Sequence, residues 1–301
     1  MYTEKARNKR NSIFLIFCFL LVIIGFCWVI SLAYNNSTIL YLGVGFSTIY
    51  AIISYFTASS TVLAISHAKP VVKKDNPQLY RTVENLSITA GLPMPKIYII
   101  QDSAPNAFAT GRDPQHAIIC VTSGLLEMMD KTELEGVVAH ELSHVGNYDV
   151  RFMTLVVVMV GILVLLSDWF IRITIFSDDR DSGGGDMQGI MMIVALVLAV
   201  LVPIIGMLMQ LAFSRKREYL ADSSAALLTR YPEGLASALE KIDSDTKPLR
   251  EANRATANLY IINPLRENVK SGNKSWFSGL FSTHPPTAER IKKLRDMGTH
   301  A

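Results

Sequence analysis

The chain has 301 residues, half of them hydrophobic, with 18% charged and a formal net charge of +3. That charged fraction falls short of the roughly 25% usual in soluble domains, which points to a membrane protein, and so small a positive excess gives no ground for nucleic-acid binding. Cys18 and Cys27 lie in one apolar run and Cys120 stands alone, so neither a disulfide framework nor a cysteine metal site is implied.

The first twelve residues are polar and carry Lys5, Arg7, Lys9 and Arg10 against Glu4. An uncharged run follows over 13–34, enough to cross about 30 Å of hydrocarbon. It is too long for a signal-peptide core, and no small-residue cleavage site follows it. A short polar link at 35–38 leads into a second uncharged run, 39–65. Residues 1–66 thus read as a membrane hairpin with spans at about 13–34 and 39–65.

Proline and charge return after His67, and 67–151 has the composition of a soluble domain. The spacing predicts a helix over 77–90 that stops at Gly91, a residue suited to the left-handed position past a helix end. β-rich runs at 96–101 and 116–122 flank 106–111, and the three predict one small sheet. Thr132 and Glu135 read as a capping box that opens the next helix. That helix carries His140-Glu141-Leu142-Ser143-His144. Histidines four residues apart share one helix face and can hold one metal ion together. The carboxylate of Glu141, between them, can take a proton from water and return it to a leaving amine.

Residues 152–213 read as a second membrane hairpin, with spans at about 152–176 and 190–213 around a Gly- and Asp-rich segment at 177–189. Basic residues crowd the amino terminus and recur at Arg215, Lys216 and Arg217, whereas the 35–38 link has none. By the positive-inside rule both termini and the soluble parts face the cytoplasm. Residues 214–301 form the second soluble part: a helix beginning near Glu218, another opened by Pro232, an Asn-, Ser- and Gly-rich stretch at 244–283, and a last helix opened by His284-Pro285-Pro286. The expected fold class is α+β, mainly α, with four transmembrane helices and a cytoplasmic domain containing a small β-sheet.

A catalytic zinc takes three protein ligands and keeps one position open. Val150 stands where a metzincin would place its third histidine, which excludes that class. A glutamate on a later helix is the remaining common solution, and Glu218 is the candidate. Asp222, one turn on, shares its face and could accept a hydrogen bond from a ligand imidazole. By spacing alone, a surface glutamate paired with Arg215 or Arg217 describes Glu218 equally well.

Four blocks in order, Asn106-Ala107-Phe108-Ala109-Thr110-Gly111, His140-Glu141-Leu142-Ser143-His144, the Ser214 to Asp222 run and His284-Pro285-Pro286-Thr287-Ala288-Glu289-Arg290, resemble the HtpX family of membrane-bound zinc metalloproteases. The resemblance implies a gluzincin-like (zincin-like) protease domain facing the cytoplasm from the inner membrane. In it one Zn2+ ion is held by His140, His144 and Glu218, with Glu141 as general base. It further implies that His284 and Arg290 lie near the open metal position, where they can stabilise an oxyanion. Asn106, Ala107 and Phe108 would form the edge that holds an extended substrate. The implied activity is endoproteolysis of misfolded or damaged membrane proteins and unfolded polypeptides, in quality control and stress response, with the lipid bilayer as the other partner. Two alternatives share some of these features: a CAAX-type processing peptidase, whose chain is longer with more spans, and a non-catalytic zinc-binding membrane adaptor, which has no need of Glu141.

Overall fold

The structure, a computed structural model, describes residues 2–33, 35–156, 158, 159, 214–245, 247, 249, 256, 259–264 and 285–298. The two uncharged runs at the amino terminus form α1 (Tyr2–Ala33) and α2 (Thr38–Ile65). Within them Ala6–Gly25 and Leu40–Ile65 are long and apolar enough to cross a membrane. A helix suits that setting because it satisfies every backbone polar group internally. Ile13, Phe14, Phe17 and Trp28 of α1, with Tyr41, Leu42, Phe46 and Ile49 of α2, are each more than half exposed. Apolar surface on that scale marks contact with lipid or another protein. The predicted second hairpin, 152–176 and 190–213, lies outside the described residues except for 152–156, 158 and 159, which are helical.

The sheet has four strands, β1 (Lys69–Pro70), β2 (Lys96–Ile100), β3 (Ala107–Thr110) and β4 (Ile118–Thr122), in spatial order β1-β2-β4-β3. β2 runs parallel to β4, with Ile97 opposite Ile119, and β3 runs antiparallel to β4, with Ala107 opposite Val121. The three longer strands form where the β-rich runs predict them. β1 is unanticipated: a two-residue strand containing Pro70, it sits at the sheet edge, where a missing N–H costs nothing in the ladder.

Alternation along the strands supplies two different neighbours. Ile100, Phe108, Ile118 and Cys120 join Leu15, Phe19 and Ile23 of α1 and Ala58 and Val62 of α2 in one core, so the membrane hairpin is seated on one face of the sheet. Ile97, Ala107, Ile119 and Val121 face a second core. Its helices are α3 (Pro77–Ala90), α4 (Ser123–Met128), α5 (Lys131–Gly146), α6 (Arg215–Thr229), α7 (Pro232–Ser244) and α8 (Thr287–Gly298).

α3 begins at Asn76, whose side chain accepts from the Leu79 N–H, and ends at Gly91 with φ 64°, the left-handed conformation its sequence anticipates. For α5 the structure corrects the predicted start. The capping box is Asp130 with Glu133, and Thr132 lies inside the first turn with its hydroxyl donating to Asp130 Oδ1 at 2.7 Å. An aspartate caps as well as a threonine, and the D-x-x-E pair two residues upstream prevails because buried Glu133 is also gripped by α7. Lys241 Nζ and Ser237 Oγ reach it at 2.6 and 2.7 Å. Where α5 crosses α7 the backbones nearly touch: a Cβ on Gly136 would meet Leu235 N at 2.6 Å, and one on Gly234 would meet Thr132 O at 2.6 Å.

Candidate metal centre

α5 is buried at every residue from Gly136 to Gly146, so its polar side chains have only one another and the adjacent elements as partners. His140 and His144 project from one face, and their Nε2 atoms stand 3.2 Å apart. α6 brings Glu218 opposite them, with Oε1 3.5 Å from His144 Nε2 and Oε2 3.8 Å from His140 Nε2. One ligand atom from each of the three residues lies within 4.8 Å of the others, and the residues form a buried set able to hold a metal ion.

The outward nitrogens of both imidazoles face carboxylates. His140 Nδ1 is 3.0 Å from Asp222 Oδ1, and His144 Nδ1 is 3.1 Å from Asp149 Oδ2. These contacts put the proton on Nδ1 of each ring and leave Nε2, as a lone-pair donor, aimed at the common point. Asp222 is itself clamped: Arg290 donates Nε to Oδ2 at 2.9 Å and Nη2 to Oδ1 at 2.7 Å, and gives Nη1 to the Ile261 carbonyl at 2.9 Å. Arg290 Nη1 also stands 3.6 Å from Glu218 Oε2.

Burial is the largest single influence on each of these groups, but not always the one that sets the direction. It holds His140 below its ordinary value despite the Asp222 carboxylate. It pulls His144 the same way, but with no metal ion bound the hydrogen bond to Asp149 and the charges of Glu218 and Asp149 outweigh it and raise the ring to about 9, so a metal ion would take the place of a proton on Nε2. Burial pushes Glu141 up to about 7, against the opposing effects of His144, Arg290 and a hydrogen bond from the backbone of Ala109. For Asp222 burial alone would raise the carboxyl, yet the Arg290 charge and the bonds from His140 and Arg290 bring it down to about 2.

That contact with Ala109 shows how β3 meets the site. Its alternate residues Ala107 and Ala109 turn their backbone groups away from β4, toward α5 and the carboxy-terminal part of the chain. Ala107 O accepts from the Ile261 N–H at 2.9 Å, and Phe108 packs edge-on against Tyr260 at 5.0 Å between ring centroids. Asn106 is buried, and its side-chain N–H donates to the Ile262 carbonyl at 2.8 Å.

Of the residues singled out from sequence, His140, Glu141, His144, Glu218, Asp222 and Arg290 meet in one buried cluster beside the outer edge of Asn106, Ala107 and Phe108. Glu218 is 3% exposed and turned to the histidines, so the alternative of a surface glutamate does not describe it. His284 lies outside the described residues. Arg290, expected from its motif beside an oxyanion, instead commits its guanidinium to Asp222 and the Ile261 carbonyl. Asp149, not among the residues singled out from sequence, does for His144 what Asp222 does for His140. The available signal was a carboxylate shortly after the helix end, and nothing in the spacing distinguished it from a surface aspartate.

The sequence profile of peptidase family M48 matches residues 73–298. The "Protease HtpX homolog" of Tropheryma whipplei (strain Twist) is 46% identical over 298 residues, covering 99% of this chain and 99% of the relative. Its counterpart in Dictyoglomus turgidum is 46% identical over 301 residues, covering 99% and 95% respectively. That of Listeria monocytogenes serotype 4b (strain CLIP80459) is 40% identical over 312 aligned residues, covering 99% and 100%. Among solved structures, the crystal structure of S. mikatae Ste24p is similar with a TM-score of 0.50 at 20% identity, over 98% of this chain and 67% of that one. This last likeness is one of fold.

Proposed function

The chain belongs to peptidase family M48, among its HtpX-type membrane metalloproteases, and from that premise we propose that it is a zinc-dependent endopeptidase. Its substrates are misfolded or damaged membrane proteins, cut at the cytoplasmic face of the inner membrane in quality control under stress. The observation that carries this reading is the convergence of His140 Nε2, His144 Nε2 and Glu218 with both Nδ1 atoms turned to carboxylates. The fit to zinc is quantitative. Two imidazole nitrogens on one tetrahedral zinc, each at about 2.0–2.1 Å, stand about 3.3 Å apart. The two Nε2 atoms are 3.2 Å apart. Three protein ligands of nitrogen and carboxylate oxygen, with no fourth among the described residues, is the donor set of a catalytic rather than a structural zinc.

Zinc held there supplies Lewis-acid polarisation of the scissile carbonyl and makes water acidic enough to be deprotonated near neutral pH. Glu141 takes that proton and delivers it to the departing amine. Its burial suits the task, because a carboxyl raised to about 7 is a stronger base than an exposed one and still releases the proton afterwards. Asp222 and Asp149 fix the ring planes of His140 and His144, and Arg290 keeps Asp222 ionised and in place. An extended substrate lies along Asn106, Ala107 and Phe108 only by displacing the 260–262 segment, whose Ile261 N–H occupies the Ala107 carbonyl, and His284 assists the oxyanion. The basic residues at Lys9, Arg10, Arg215 and Lys216 support a cytoplasmic site. Spans at 152–176 and 190–213 complete the membrane part.

The test uses the full-length protein in detergent with an unfolded membrane-protein substrate. Wild type is expected to contain about one zinc per chain and to lose cleavage to a chelator and regain it with Zn2+. Glu141→Gln should retain the metal and lose nearly all activity. Full cleavage by Glu141→Gln would refute the assignment of the base, and a metal-free, active wild type would refute the mechanism.

A further inference from the structure

The turn that follows α5 is held from outside its own domain. Asn147 and Tyr148 connect α5 to the helical stretch that begins at 149. Tyr148 has φ 61°, a left-handed conformation that a bulky residue adopts only where its surroundings impose it. The surroundings are the first turns of α1. Asn8, 0% exposed, donates its amide to the Asn147 carbonyl at 2.9 Å and to Asp149 Oδ1 at 2.7 Å. Lys9 places its ammonium 4.5 Å from the centroid of the Tyr148 ring. Ser12 donates to the Asn8 carbonyl at 2.9 Å, binding the contact into the helix.

Asp149 has two oxygens with different duties. Oδ1 receives Asn8 and stands 3.5 Å from Arg217 Nε, while Oδ2 faces His144 Nδ1 at 3.1 Å. Two hydrogen bonds therefore lead from a membrane helix to a residue of the metal centre. We propose that Asn8 is a positioning residue for that centre, acting through Asp149 on His144. This rests on the reading of His140, His144 and Glu218 as zinc ligands. A carboxylate held at one oxygen has its plane fixed, so its other oxygen stays aligned with the imidazole N–H. Without Asn8, the buried Oδ1 turns toward the Arg217 guanidinium, and Oδ2 leaves the line of the Nδ1–H bond. The membrane hairpin is thus part of the apparatus that shapes the zinc site, and not only its tether.

The experiment compares full-length wild type, Asn8→Ala, Asp149→Asn, the double variant and Arg10→Ala in detergent. Arg10 is an exposed neighbour on the same helix and serves as the control. Zinc affinity is read by competition with a chromophoric chelator, and site geometry by the visible absorption of the Co2+-substituted protein. Partners behind a ligand histidine typically carry about 10–100-fold in metal affinity, and Asn8 stands one bond further out. Asn8→Ala is expected to weaken zinc by roughly 5- to 10-fold and to alter the cobalt spectrum, with Arg10→Ala at wild-type values. In the Asp149→Asn background Asn8→Ala should add nothing, which a general loss of stability would not reproduce. Wild-type zinc affinity and spectrum in Asn8→Ala, or effects that simply add in the double variant, would overturn the proposal. Should Asn8→Ala fail to fold, Asn8→Ser, which keeps a single donor, is read in the same way. Failure of wild type itself to bind zinc would instead remove the metal-site reading on which the proposal stands.

Discussion

Replacing Asp222 with asparagine keeps the shape of the side chain and removes its charge, and the structure allows both consequences to be sized. The first concerns the metal. Asp222 Oδ1 is the partner of His140 Nδ1 at 3.0 Å, and an amide holds the imidazole less firmly in its ligand tautomer. Losing such a partner costs about 10–100-fold in metal affinity, or about 1.4–2.7 kcal/mol. The second concerns the fold. Arg290 is 1% exposed and its bidentate contacts at 2.7 and 2.9 Å are to this one carboxylate. Removing one partner of a buried ion pair costs about 3–5 kcal/mol, and the residual amide oxygen sets Asp222→Asn near the lower figure. Chemical denaturation in detergent, run with zinc and with chelator, separates the two: the loss with chelator present is the ion pair, and the extra loss with zinc is the metal. pH gives an independent check. The folded Asp222 carboxyl lies at about 2, below its ordinary 3.8, so its contribution is fully present above about pH 5 and is lost as pH falls toward 2. Asp222→Asn should flatten the acid limb of the stability curve. If the variant binds zinc and resists denaturant like wild type, the account of Asp222 as the link between Arg290 and His140 is wrong.

On the proposed mechanism, Glu141 sets the acid side of the activity profile. Its carboxyl lies at about 7 without a metal, and a divalent cation beside it favours the ionised form, so kcat/KM should fall with an acid limb below about pH 7. A limb above about pH 8 contradicts a Glu141 base. For the cap of α5, Asp130→Ala should cost about 1 kcal/mol in denaturant unfolding and Thr132→Ala less; the reverse order would restore the start read from sequence. Gly136→Ala should lower stability by about 1–3 kcal/mol, measured as a thermal shift in detergent, since its methyl would fall 2.6 Å from the Leu235 nitrogen. An unchanged melting temperature would mean that α7 yields at no cost.

Local signals carried far along this chain because several elements are fixed by their own residues. Gly91 ends α3 in the conformation only glycine adopts freely, and alternate apolar residues of β2 and β4 fill the two cores in turn. The two histidines owe their geometry to the helix pitch, so their convergence was readable from five residues. What escaped depends on distance. Asn8 and Asp149 are separated by 141 residues and Arg290 and Asp222 by 68, and no periodicity registers such pairs. The cap of α5 was misplaced because two overlapping patterns, Asp130 to Glu133 and Thr132 to Glu135, are equal locally. The difference lies in Lys241 and Ser237, which belong to another helix.

The burial of α5 over its whole circumference from Gly136 to Gly146 also governs how genetics will see this protein. One side of the helix carries the histidines and Glu141, and the others carry Val137, Val138 and Leu142 into the core or lie against α7. A saturation scan would report intolerance at almost every position of this segment, and the depth of the loss would not separate chemistry from packing. Only paired measurements of protein abundance and turnover at each position would isolate Glu141, as the residue whose conservative change leaves the amount of protein intact and abolishes its work.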